Sequence, residues 1–294
     1  MKKLISISGP TGIGKTKKAI ELALHFNTEI ISFDSRQFYK EMKIGTAPPS
    51  EDDLSKIKHH FIHNKSILDN YTVYDFSIDA KKCIEKLFKK YDNIILVGGS
   101  FLFLNSIITE LDEMPEIKAG LRQKLNDDYE KKGKEYIIKL LKKIDPVYLE
   151  KVDKNNHRRI IRALEVSIQS KKPYSSFLGK KTSSKYNHIS VALNNERKVI
   201  HSLINNRVDK MLKNGLLEEV KSLYKYSHLN PLNTVGYKEL FSYLDGKISK
   251  IDAVEYIKRN TRRYAKKQIT WLNNNGKHFW FHPNDSLESF LKVL

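Results

Sequence analysis

Gly9-Pro10-Thr11-Gly12-Ile13-Gly14-Lys15-Thr16 is the stretch on which the fold turns. A short apolar run, Leu4-Ile5-Ser6-Ile7-Ser8, precedes it, and a segment of helical periodicity from Lys15 to Phe26 follows. The spacing is G-x-x-x-x-G-K-[ST], set between a strand and a helix, where such a loop must sit to work. The glycines free backbone N–H groups to surround phosphate oxygens, the helix dipole favours the anion, Lys15 adds a point charge, and the Thr16 hydroxyl suits Mg²⁺. Residues 9–16 are therefore the expected diphosphate-binding loop, a P-loop, and Thr16 the expected metal ligand. A di- or triphosphate ligand follows from this motif, but a reaction does not.

Working outward, the first third of the chain alternates apolar runs with helical patterns: Glu29 to Phe33, Asp75 to Lys90, then Ile94 to Val97. Strands separated by helices indicate βαβ units and a parallel sheet covered on both faces. Gly98-Gly99 ends the 94–97 strand and places Ser100 at the carboxyl edge, where ligand sites of α/β proteins form. From about Pro115 the texture changes to charged amphipathic helices, at Leu121–Asp128, Glu135–Ile144 and Asn156–Gln169. The β pattern returns at His188–Ala192 and again at His278–Phe281. The expected fold is α/β: a P-loop NTPase-like parallel sheet core over residues 1–112 and 199–294, with an inserted α-helical subdomain over 113–198.

Composition narrows the partners. Among 294 residues, 53 Lys+Arg against 34 Asp+Glu leave a net charge of +19, more than solubility requires and suited to a polyanion such as nucleic acid. No run approaches the roughly 20 apolar residues of a membrane span. The apolar start Leu4–Ile7 is cut by Gly9-Pro10 and reads as a strand rather than a leader, so a cytoplasmic protein with no membrane partner is expected. The single cysteine, Cys83, forms no intramolecular disulfide, and its helical spacing with Phe76, Ala80, Ile84 and Leu87 makes it a core residue. His59, His60 and His63 lack the further Cys or carboxylate ligands of a zinc site and read as structural or substrate-gate residues.

Missing motifs narrow the chemistry. The nearest string to a guanine-reading Asn-Lys-x-Asp loop, Lys142-Lys143-Ile144-Asp145, has no Asn. The 94–97 strand ends in Gly98-Gly99-Ser100 rather than the Mg²⁺-binding aspartate of an ordinary P-loop ATPase. The acidic residue instead leaves the second strand, in Ile30-Ile31-Ser32-Phe33-Asp34-Ser35. From its position alone, Asp34 is equally a water-linked metal ligand, a general base, or a cap for the following turn.

Seven segments, in order, resemble the bacterial tRNA dimethylallyltransferases: Gly9-Pro10-Thr11, Asp34-Ser35-Arg36-Gln37-Phe38-Tyr39, Gly45-Thr46-Ala47, Leu96-Val97-Gly98-Gly99-Ser100, Arg159-Ile160-Ile161-Arg162-Ala163-Leu164-Glu165-Val166, Gly236-Tyr237 and Ala265-Lys266-Lys267-Gln268-Ile269-Thr270-Trp271. They span nearly the whole chain. The resemblance implies transfer of a dimethylallyl group from dimethylallyl diphosphate to N6 of the adenine just 3′ of the anticodon (position 37), in tRNAs reading codons that begin with uridine. It makes Asp34 the general base, Ser100 (usually Thr in the family) a diphosphate contact, and Arg207, in Arg207-Val208-Asp209-Lys210-Met211-Leu212-Lys213-Asn214-Gly215, a charge clamp. Without the resemblance Arg207 reads as a snorkelling arginine beside Leu203, Ile204 and Met211. Mg²⁺ is the implied cofactor and a monomer the implied state. Pro48, Lys58 and His157 stand where the family commonly has Lys, Pro and Gln.

The implied contacts to the tRNA anticodon arm are Asp34, Ser35, Arg36, Gln37, Ser100, Arg122, His157, Arg158, Arg159, Ile160, Arg162, Arg262 and Lys266. Part of this set has independent physical support. The rows Lys258/Arg262/Lys266 and Arg259/Arg263/Lys267 form two adjacent stripes with no carboxylate among them, and Arg158, Arg159 and Arg162 lie opposite Ile161, Leu164 and Ile168. A base stacked in a loop has to be extruded to reach Asp34. The alternatives are a P-loop nucleoside or metabolite kinase, which has no use for the insertion or the charge, and a non-catalytic RNA-binding protein, which gives Asp34 and Ser100 no reason to be polar.

Overall fold

The computed structural model describes residues 2–118, 120–179 and 186–294. The chain opens with β1 (Lys3–Ser8), α1 (Lys15–His25), β2 (Ile30–Ser32), α2 (Glu51–Lys56), β3 (His59–His60), α3 (Val73–Leu87), β4 (Asn93–Val97) and α4 (Phe101–Ile108). Four helices follow: α5 (Leu121–Lys132), α6 (Lys134–Ile144), α7 (Pro146–Lys151) and α8 (His157–Ser170). The chain then forms β5 (Asn187–Leu193), α9 (Arg197–Lys213), α10 (Leu216–Ser222), α11 (Tyr237–Leu244), α12 (Lys250–Asn274), β6 (Phe279–Phe281) and α13 (Leu287–Leu291). It divides into two compact units, residues 1–108 with 184–294, and residues 109–183.

In the first unit six parallel strands run in the order β3-β2-β4-β1-β5-β6. Strand alternation buries both faces. Leu4, Ile31, Ile94 and Leu96 join one core with residues of α3, α4, α10, α11 and α12. Ile5, Ile7, Ile30, Ile95 and Val97 join the other with residues of α1, α9 and α13. Continuous apolar strands of this kind are what a doubly covered parallel sheet requires. Cys83 packs half-buried against the first core, and burial raises its thiol to about 11, in line with a core role.

The second unit is all helical among its described residues and has its own core, built on Leu125, Ile137, Leu141, Ile160, Ile161 and Leu164. Its boundaries differ from the expected 113–198. The segment 187–193 is strand β5, paired with β1 from Lys3↔Asn187 to Ser8↔Ala192, so the unit closes before it. The β pattern expected at His188–Ala192 is this strand, so only the domain boundary, set at 198, moves back to the start of β5. β3, only two residues long, carries no alternation by which to recognise it.

β5 brings a polar chain into the sheet. His188 Nε2 is 2.8 Å from Ser6 Oγ, Ser6 Oγ donates to Ser190 Oγ at 3.4 Å, and Ser190 Oγ is 2.8 Å from His278 Nδ1. Burial, reinforced by the neighbouring His278, pushes His188 down to about 4. Because the folded value lies below the ordinary 6.5, the unfolded chain binds more protons in between, and stability conferred by neutral His188 is lost as pH falls from 6.5 to 4. Denaturant titrations of wild type and His188→Gln should diverge over that window, the wild type losing up to ~3 kcal/mol more than the variant. Parallel pH profiles would remove His188 as the acid-sensitive group.

Candidate active site

The P-loop is shaped by backbone before side chains enter. Gly9 has φ 145°, and a Cβ there would lie 2.7 Å from the Leu193 carbonyl oxygen. Gly14, at φ 97°, caps α1 without a side-chain bond and leaves the first N–H groups of that helix open to an anion. Lys15 Nζ folds back onto the carbonyls of Gly9 and Pro10, at 3.0 and 2.9 Å. Burial first, and the nearby Arg207 second, lower Lys15 to about 8, against an upward pull from Asp34.

Two cavities meet at this loop. One, of about 330 Å³, is lined by Lys15, Thr16, Ser32, Asp34 and Arg207 among others. The second, of about 260 Å³, carries Ile204, Val208, Met211, Leu216, Val235 and Ile257. Thr11, Asp34, Arg207 and Tyr264 line both. Thus a carboxylate and a guanidinium stand on the lining shared by the P-loop cavity and a second cavity that has an apolar side. Burial lowers Arg207, and Asp34 counters it. Its Nη1 donates to Thr11 Oγ1 at 3.2 Å and its Nη2 to the Thr46 carbonyl at 3.5 Å. Arg207 is therefore turned into the site rather than snorkelling along a core edge.

Asp34 leaves β2 in a tight turn: its Oδ1 accepts from Arg36 N at 3.0 Å. Ser35 N donates to Ser100 Oγ, and Ser100 Oγ donates to Ser35 Oγ, both at 3.1 Å. Ser100 thus fastens the β4 turn to the turn that carries Asp34. Gln37 Nε2 reaches the carbonyls of Thr46 and Ala47 at 3.3 and 3.0 Å. Arg36 Nη1 donates to Asn230 O at 3.2 Å. The 45–47 segment is held by the Glu219 carboxylate, which accepts from Ile44 N, Gly45 N and the Tyr237 hydroxyl at 2.7, 3.0 and 2.6 Å. A Cβ on Gly45 would fall 2.5 Å from the Tyr237 ring, so the Gly45-Thr46-Ala47 and Gly236-Tyr237 motifs are two sides of one contact.

A family model described as IPP transferase matches residues 37–275. The chain belongs to the IPP transferase family. It is 50% identical over 288 residues to a tRNA dimethylallyltransferase of Flavobacterium johnsoniae, covering 96% of this chain and 93% of that protein. The corresponding protein of Christiangramia forsetii is 48% identical over 292 residues, with 99% and 97% covered. A tRNA isopentenylpyrophosphate transferase from Bacillus halodurans superposes with a TM-score of 0.72 at 34% identity, over 99% of this chain and 94% of that one. A eukaryotic dimethylallyltransferase acting on tRNA gives 0.83 at 27% identity, over all of this chain and 76% of the other.

The basic elements of this IPP transferase are less uniform than their spacing suggests. On α12, Lys258 is not free of carboxylates: Asp209 from α9 lies 2.8 Å away and Glu255 3.7 Å. Arg262 Nη1 donates to Asn205 Oδ1 at 2.7 Å, while Lys266 is exposed. In the helical unit, Arg158 and Arg159 are exposed and His157 stacks on Tyr129 at 4.7 Å. Arg122 and Arg162 both grip the fully buried Glu165, Arg122 through Nε and Nη2 at 2.7 and 2.6 Å and Arg162 at 2.7 Å. Ile160 is fully buried in that unit's core, so its side chain packs there and is unavailable to RNA. The histidines form no metal cluster among the described residues; His60 instead bonds Glu29 at 2.5 Å.

Gln268, Tyr264 and Thr46 are site residues to which spacing assigned no role, although two of the quoted motifs contain Gln268 and Thr46. Tyr264 turns its ring to both cavities while its hydroxyl donates to Gly99 O at 3.2 Å; burial, then the charge of Asp34, raise that hydroxyl to about 12.

Lys15 supplies charge to an anion only while protonated. Affinity for inorganic diphosphate should therefore fall as pH rises through about 8, the value of the free protein. Calorimetry of wild type and Lys15→Ala between pH 7 and 9.5 checks this: the variant should bind weakly throughout, with no step near 8. Independently, charge reversal in Arg262→Glu with Lys266→Glu should weaken cognate and non-cognate tRNA alike, because these side chains offer charge rather than a base-reading pattern. Each lost phosphate contact should flatten the plot of log affinity against log salt by somewhat under about one unit. An unchanged slope would make the pair ordinary surface charge.

Proposed function

We propose that this protein transfers the dimethylallyl group of dimethylallyl diphosphate to N6 of the adenine just 3′ of the anticodon, in tRNAs reading codons that begin with uridine. The observation that carries this reading is the placement of Asp34 and Arg207 on the lining shared by the P-loop cavity and a second cavity with an apolar side formed by Ile204, Val208, Met211, Leu216, Val235 and Ile257. Relatives named tRNA dimethylallyltransferase, matched over nearly the whole chain, support the same activity.

The chain's residues divide the work as follows. The loop 9–16 binds the diphosphate, with Lys15 and Arg207 facing its oxygens. The N6 lone pair attacks C1 of the allylic group, the C1–O bond breaks, and its electron pair leaves with the diphosphate. Asp34 accepts the N6 proton. Cations fixed at the leaving group stabilise the charge that develops there without having to reorganise. Ser100 holds the Asp34 turn by accepting from Ser35 N, and turning its one O–H away from Ser35 Oγ would let it donate to the leaving group. Oxygen donors from Thr16, Ser32 and Asp34 line one chamber, a donor set suited to a hard cation that retains most of its water. Mg²⁺ held there by Thr16, with Asp34 through water, would offset diphosphate charge. Arg158, Arg159, Arg162, Arg122, Arg262 and Lys266 would meet tRNA phosphates. Among the described residues no helix is long and apolar enough to cross a membrane. A cytoplasmic reaction on a monomer is part of the same proposal.

Nucleoside mass spectrometry of tRNA incubated with the protein and dimethylallyl diphosphate should show a prenylated adenosine. In single-turnover reactions Asp34→Ala should be slower by roughly 10²- to 10⁴-fold, the range of a positioned general base, with much smaller change in tRNA affinity. A rate within a few-fold of wild type would remove Asp34 from proton transfer.

A further inference from the structure

The inner face of α12 reaches the P-loop through one side chain. Gln268 is 3% exposed. Its Oε1 accepts from the backbone N–H of Thr11 at 2.8 Å, and its Nε2 donates to the carbonyl of Gly99 at 3.0 Å. The fit is tight: a Cβ on Gly99 would lie 2.2 Å from Gln268 Nε2. One planar amide therefore bridges the loop that cradles diphosphate and the turn that presents Ser100. Thr11 also receives Arg207 through its hydroxyl, and Ser100 holds the Asp34 turn through Ser35. Gln268 sits where these connections converge.

We propose that Gln268 is a positioning residue for prenyl transfer: its amide sets the distance between the P-loop and the Gly98-Gly99-Ser100 turn, and so the placement of Asp34 relative to the diphosphate. The inference rests on the prenyltransferase reading for its catalytic half, while its diphosphate half stands on the P-loop alone. An amide suits the task because it accepts and donates from adjacent atoms in one plane, which an alkyl chain of the same length cannot do. Removing it takes the acceptor from the Thr11 N–H and leaves the Gly99 carbonyl with the longer bond from the Tyr264 hydroxyl, which loosens the link between the two turns. Displacements of about an ångström near reacting groups cost roughly 10²-fold in rate.

Gln268→Met, close in size but without the amide, should bind inorganic diphosphate roughly tenfold more weakly. Its single-turnover rate at saturating dimethylallyl diphosphate should fall by roughly 10- to 100-fold. tRNA affinity and its salt dependence should stay within twofold of wild type, since the basic side chains of α12 point the other way. Gln268→Glu separates this role from simple packing. Its carboxylate can accept from Thr11 N–H but opposes the Gly99 carbonyl, whereas the protonated carboxyl can accept and donate as the amide does. The rate of Gln268→Glu relative to wild type should therefore rise as pH is lowered from 8 to 6. The flat ratio expected of a merely structural residue would overturn the proposal, and so would wild-type rates and diphosphate affinity in a folded Gln268→Met. If Gln268→Met does not fold, the pH ratio of Gln268→Glu decides. A wild type that binds diphosphate but does not prenylate tRNA sinks the functional reading instead, and the diphosphate affinities still test Gln268.

Discussion

Two cations, Lys15 and Arg207, are held in a partly dry chamber with one carboxylate, Asp34, and most of the site follows from that imbalance. Burial works against both positive charges, as the lowered values of Lys15 and Arg207 show, and Asp34 offsets only part of the cost. Lys15 turns back onto carbonyls of its own loop, which keeps its ammonium hydrogen-bonded. Asp34 acts electrostatically on both cations and lines both cavities.

α12 presents two chemically different sides. Ala253, Ile257, Ala265, Gln268 and Leu272 are buried, and Tyr264 and Gln268 reach Gly99. The exposed side carries Arg259, Arg263, Lys266 and Lys267. A helix spanning 25 residues can do this because its 3.6-residue period separates the faces cleanly. The partners on neighbouring elements are not periodic: Asp209 neutralises one end of a basic row and Asn205 restrains its middle.

The helical unit solves a related problem around Glu165. A fully buried carboxylate would be expensive alone, and here it accepts from Arg122 and Arg162. The pairing fixes two side chains that would otherwise sample many rotamers, while each guanidinium remains partly exposed. His157, stacked on Tyr129, is restrained by ring contact instead.

The sequence by itself determined the parallel sheet, the P-loop and the existence of a helical insertion, because each is written in local pattern: apolar runs, glycine spacing and helical period. The position of Asp34 at a strand end was legible for the same reason. Tertiary structure decided the rest. β5 was legible as a strand, but its place beside β1 was not, because local pattern does not record a pairing partner. Ile160 went inside with its helix's apolar face despite three arginines within two positions of it. Arg207 became a site residue only when α9 packed beside the loop, and Gln268 only when α12 brought an amide within 3.0 Å of both Thr11 and Gly99. Hydrogen bonds of that kind depend on distances between segments far apart in the chain, and residue spacing cannot encode them.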